Sequence, residues 1–203
     1  MRRRMAWHAM PDDACQFTPR GTVLRPTTPN VLRVYERATS AERSDGMRWY
    51  RDAHEFAASL TDDVPTAVGV LAALSPRMPW GRNKALASDA VARGYASGAL
   101  LDNVAKADAI LSGADPLAVL RGDKVRNFYL AILEPDSHAG VVIDRHAFDI
   151  AVGRKTGDAA RQALARKGMY DRFARAYRRA ADAVGGVTAG QMQAVTWTAW
   201  RAA

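Results

Sequence analysis

Residues 115–153 read DPLAVLRGDKVRNFYLAILEPDSHAGVVIDRHAFDIAVG, and the fold follows from how this stretch is read. Asp115-Pro116 starts a helix, because an oxygen-bearing cap followed by a proline that needs no amide hydrogen suits a first turn. Leu117, Val119 and Leu120 give that short helix its apolar side. Arg121-Gly122-Asp123 breaks it, since glycine tolerates the positive backbone angle of a reversal and aspartate caps whatever follows. Val125, Phe128, Tyr129, Ile132 and Leu133 then recur at three- and four-residue spacing, which predicts a second helix from about Lys124 to Leu133. Helix, hairpin and helix result.

Beyond Glu134-Pro135 and a polar loop lies Val141-Val142-Ile143, an apolar lead-in to Asp144. Arg145, His146, Ala147, Phe148, Ile150 and Ala151 continue as a helical pattern that Gly153 ends, so Asp144 is the expected N-cap. A carboxylate there accepts backbone hydrogen bonds at the positive end of the helix dipole. It makes a poor general acid and a good fixed negative charge. Such a charge beside a basic hairpin suits a cation-like transition state formed next to a phosphate backbone.

The flanking chain reads as helical scaffold. Thr28-Pro29 starts a helix to about Thr39, and Ser44-Asp45 caps one in which Met47, Tyr50, Ala53, Phe56, Ala57 and Leu60 recur at helical spacing. His54 is read as a helix-face residue, because no second histidine or cysteine stands at metal-ligand spacing. Asp63-Val64-Pro65 opens the most apolar helix, from Thr66 to about Leu74. Ser75 to Lys84 then forms a loop in which Arg77, Trp80, Arg82, Asn83 and Lys84 crowd between two prolines and a glycine. Helices are expected at about 83–94 and 101–112, and further on near 157–166, 169–184 and 188–202, the last with Thr188 and Gln191 at capping-box spacing. Arg172, Arg175, Arg178 and Arg179 read as solvated helix surface. Trp197 and Trp200 read as packing the last helix onto the core. No segment alternates over strand length, so the fold class is all-α, with a flexible basic arm at 1–26 and a single helical domain at 27–203.

Charge and composition narrow the partners. The 203 residues carry a formal net charge of +8, with arginine dominating, which favours an anionic partner and planar phosphate contacts. The lone Cys15 excludes an internal disulfide framework and a four-cysteine zinc or iron–sulfur site within one chain. No apolar run approaches the roughly 18 residues of a membrane span, and Met1-Arg-Arg-Arg-Met-Ala-Trp-His8 has charge but no apolar segment behind it. An intracellular, cytoplasmic monomer without cofactor or metal is expected.

The central stretch resembles the helix-hairpin-helix DNA glycosylase superfamily, the endonuclease III-like and 8-oxoguanine glycosylase-like enzymes. Leu120-x-Gly122 stands for the Leu-Pro-Gly-x-Gly hairpin, with Arg121 in place of proline, and Ile143-Asp144-Arg145-His146 stands for Val-Asp-x-His. In one register Arg126 occupies the family's lysine position, as in members lacking lyase chemistry; in the other Lys124 does. Leu74-Ser75 and Asn83-Lys84 stand near the spacing of the family's strand-contacting segment, without its glutamine, and leave Arg77, Met78 and Trp80 as candidate wedges. The resemblance implies a compact fold of two helical lobes around a cleft, DNA as partner, and Asp144 and Lys124 as catalytic residues. It also implies DNA contacts from Arg121, Gly122, Arg126, Arg145, His146, Arg77, Trp80, Arg82, Asn83 and Lys84. The expected activity is excision or processing of an extruded base, with abasic-site lyase chemistry if Lys124 is in register. Action on unusual bases in modified DNA, such as that of phages, and DNA binding without chemistry are the alternatives.

Overall fold

The computed structural model describes residues 24–202, which form eleven α-helices, one short 3-10 helix and no strand. The expected N-terminal arm falls, up to residue 23, outside the described residues. Helix α1 (Thr28–Arg37) is capped by Thr27, whose hydroxyl accepts from the Asn30 amide. Helix α2 (Ser40–Ala58) begins before the expected Ser44-Asp45 because Thr39 and Glu42 form a capping box. Each satisfies an amide that the first turn leaves without a partner, and Ser44 and Asp45 fall inside the helix. Helix α3 (Val64–Leu74) carries the Asp63 cap and buries every residue from Ala67 to Leu74. Helix α4 (Trp80–Arg93) starts earlier than expected, directly after Pro79 in extended conformation. It is followed by α5 (Leu101–Leu111) and the single turn α6 (Pro116–Val119).

Between α6 and the next helix lie only Leu120, Arg121 and Gly122. Gly122 itself, at φ 79°, precedes α7 (Asp123–Leu133), so Asp123 opens the helix rather than capping it. Helix α8 (Arg145–Val152) has the Asp144 cap and ends at Gly153, φ 83°. The single helix expected over 157–166 is instead α9 (Asp158–Arg161) followed by a 3-10 turn at Gln162–Ala165. Only Ala163 is buried there, too little apolar surface to hold a longer helix. Helices α10 (Met169–Val184) and α11 (Ala189–Ala202) complete the chain. The Thr188–Gln191 box is present, with contacts of 3.1 and 2.8 Å.

Packing divides the apolar residues into two clusters. One gathers α1, α8, α10 and most of the buried face of α11; the other gathers α2, α3, α4, α5 and α7. The extended segment 141–143 lies between them. Its side chains alternate, as in any extended backbone: Val141 and Ile143 enter the first cluster and Val142 enters the second. Helices α2 and α11 cross so closely that a Cβ on Gly46 would lie 2.4 Å from the Val195 Cα.

Candidate active site

The site is built by returning the chain along α7. Gly140 packs against the Ala131 backbone, where a Cβ would come within 2.3 Å of the Ala131 nitrogen. From there the extended segment runs back past Asn127, whose Oδ1 accepts from the Val141 amide at 3.1 Å. The Tyr170 hydroxyl accepts from the Ile143 amide and donates to the Val141 carbonyl, both at 2.9 Å. These side chains replace the strand partner that buried, extended backbone would otherwise lack. Asp144 is thereby delivered to the N-terminal end of α7, beside the hairpin.

At that point a cleft of about 480 Å³ is lined by Gly122, Asp123, Lys124, Ile143, Asp144, Arg145, Arg161 and Tyr170, among others. The two residues expected to be catalytic, Lys124 and Asp144, share its wall. Arg161 is locked in place, since it donates to the Asp149 Oδ2 at 2.9 Å and to the Asp158 Oδ1 at 2.8 Å. Lys124, Arg121 and Arg145 are exposed. Arg126, two residues further along α7, is half-buried and does not line the cleft.

Asp144 has donors on both oxygens. Oδ1 accepts from the His146 and Ala147 amides at 2.9 and 2.8 Å, the expected helix cap. Oδ2 accepts from the Trp197 indole N–H at 3.0 Å. His146 lies edge-on to Trp197, and its Nε2 accepts from the Arg145 Nε at 3.2 Å. Burial lowers the His146 pKa; Asp144 opposes that shift while Arg145 and Arg201 reinforce it. Burial likewise pushes the Tyr50, Tyr170 and Tyr177 phenols upward, and the Asp144 charge adds to all three. Tyr50 therefore remains a donor, to the Gln193 Oε1 at 2.6 Å.

Trp197 leads to an aromatic cluster that the sequence did not announce. Its ring lies 6.5 Å from Trp49, which lies 5.2 Å from Trp80 and 6.0 Å from Phe128. Trp80 meets Phe128 edge-on at 6.4 Å. All four rings are only partly buried. Lys84 hangs over Phe56 and Trp80, 5.3 and 5.8 Å from their centroids. The candidate loop residues thus divide. Trp80 and Lys84 belong to this cluster. Asn83 is buried, with its Nδ2 donating to the Leu71 carbonyl at 3.1 Å. Arg77 and Arg82 are exposed. Arg77 has φ 61°, the one non-glycine residue with positive φ among the described residues. Trp49 was missed because it lies beside the apolar stripe of α2 that Tyr50 marks. Trp197 was read as packing alone.

These features define an all-helical protein with a doubly anchored carboxylate at a helix N-terminus, a basic hairpin sharing its cleft and an aromatic cluster reached through Trp197. The chain belongs to DUF7178, a family of unknown function whose model matches residues 15–203. No curated protein matches it, and neither does any solved structure. Among the described residues no helix is long and apolar enough to cross a membrane. No group of three or more His, Cys, Asp or Glu among them could hold a metal ion.

Proposed function

We propose that the protein is a DNA N-glycosylase-type enzyme of the helix-hairpin-helix kind, which extrudes a damaged or modified base and cleaves or processes its glycosidic bond. The observation that carries this reading is the Asp144 carboxylate, fixed by two amides and an indole where the basic hairpin cleft meets an aromatic cluster. A helix cap alone needs only the first of those oxygens. In the proposed reaction the Asp144 charge stabilises the oxocarbenium-like sugar as the base departs. The base takes the electron pair of the bond, and water or Lys124 adds at C1′. If the Lys124 amine adds, a proton passes from its nitrogen to O4′ as the C1′–O4′ bond breaks, which leaves a Schiff base and opens the route to strand cleavage.

The two apolar clusters support the expected two-lobed arrangement, with the aromatic rings of α2, α4 and α7 as the surface on which an extruded planar base would stack. Gly122, Arg121, Lys124 and Arg145 would hold the phosphates flanking the extruded nucleotide. Among the wedge candidates, the exposed, positive-φ Arg77 fits the gap in the duplex better than Trp80, whose ring is engaged by Trp49 and Phe128. Duplex oligonucleotides each carrying one damaged or modified base test the reading. Abasic sites should accumulate on one of them under single-turnover conditions. Binding to every duplex with no abasic site on any would leave a DNA-binding protein without chemistry.

A further inference from the structure

The α8 cap occupies only one oxygen of the Asp144 carboxylate. Both amides of the α8 cap go to the Asp144 Oδ1, and that pair alone leaves the Cβ–Cγ torsion soft, because such terminal torsions are broad. Oδ2 is instead met by an indole N–H from a helix more than fifty residues further along the chain. An indole nitrogen can only donate, so Oδ2 is the acceptor and the contact cannot reverse. The ring is held on several sides: Trp49 lies at 6.5 Å, His146 stands edge-on at 6.4 Å, and the Arg201 guanidinium sits 4.3 Å from its centroid. Behind it, the Gly46–Val195 contact and the Tyr50–Gln193 hydrogen bond fix α11 against α2.

We propose that Trp197 is the positioning residue of Asp144: through its indole N–H it sets the plane of the carboxylate so that the negative charge faces the sugar. This rests on the reading of Asp144 as the charge that stabilises a cationic sugar. Trp197 touches no reacting atom. It removes the freedom of the carboxylate to turn away as the cation forms, and catalytic groups gain most when fixed in advance. The partner of Asp144 thus comes from the last helix, so the site is complete only when α11 is docked on α2.

The test needs no knowledge of the base. Two duplex probes serve, one with a pyrrolidine abasic-site analogue whose protonated nitrogen carries the sugar's positive charge, the other with the neutral tetrahydrofuran analogue. The wild-type protein should prefer the cationic probe. Trp197→Phe keeps a ring in the cluster but loses the N–H, and should cut that preference about tenfold, the worth of one hydrogen bond to a charged group. Its affinity for the neutral probe should not change. An undiminished preference in Trp197→Phe, with the preference lost in Asp144→Asn, overturns the positioning role and leaves the reading of Asp144 standing. No preference in the wild type, or its survival in Asp144→Asn, removes that reading itself. A second measurement does not depend on the Phe variant folding: the Trp197 indole proton resonance should move upfield in Asp144→Asn. A resonance that stays put shows that the hydrogen bond does not exist and overturns the proposal.

Discussion

At the scale of single residues, Lys124 and His146 each make a forecast, the first of them under the proposed function. Lys124 shares the cleft with Asp144 while Arg126 does not line it. Borohydride should therefore trap a covalent adduct with DNA containing an abasic site, and Lys124→Ala should abolish it. Base release without any adduct would make water the nucleophile and assign the family's lysine position to Arg126. His146 forecasts a pH effect. Burial lowers its pKa, so between the usual value near 6.5 and the lower folded value the unfolded chain binds more protons. Stability should consequently fall as pH drops through about 6.5, and His146→Gln should flatten that part of the melting-temperature profile. A profile that is equally steep in the variant would assign the loss to other groups. The Asp144 cap was legible in the sequence because an apolar run, an aspartate and a helical pattern are all local. Its second partner was not, since nothing local links residue 144 to residue 197.

At the scale of elements, close approaches locate the site. The Gly140 contact with Ala131 turns the chain back along α7, and the Gly46 contact with Val195 lets α2 and α11 cross near enough for Trp49 to meet Trp197. In an isolated helix Gly46→Ala would stabilise by about 1 kcal/mol. Here the added Cβ meets backbone at 2.4 and 2.5 Å, and overpacking of that kind costs about 1–3 kcal/mol or more. Because the clash is with backbone, the upper end of that cost applies, and a net loss of about 2 kcal/mol after the propensity gain of about 1 is expected in urea denaturation. Gly46→Ala that stabilises the protein would show that the two helices do not pack this closely. Periodicity and caps located nearly every helix, because both are written within a few residues. They misplaced the starts of α2, α4 and α7 and read 157–166 as one helix, because neighbouring caps and tertiary burial decide such boundaries. The Thr39–Glu42 box prevailed over Ser44-Asp45, and the poorly buried 158–165 segment broke into two short turns.

Across the whole molecule, two apolar clusters meet along the extended 141–143 segment, and the partly exposed rings of Trp49, Trp80, Phe128 and Trp197 form a cluster that reaches Asp144 through Trp197. An excess of positive charge, +8 over the chain, favours a polyanionic partner, since counterion release dominates such binding. The helical class could be read from the absence of alternation. The aromatic cluster could not, because its members come from four helices whose mutual packing no local pattern records. The central claim, that Asp144 stabilises a cationic sugar in bound DNA, is tested most directly by comparing wild type and Asp144→Asn on a duplex whose base the wild type releases. Single-turnover base release should fall by a factor of about 100 or more, the worth of a comparable electrostatic group, while duplex affinity stays equal or rises as a charge repelling phosphate is removed. Full activity in a folded Asp144→Asn protein would contradict the account.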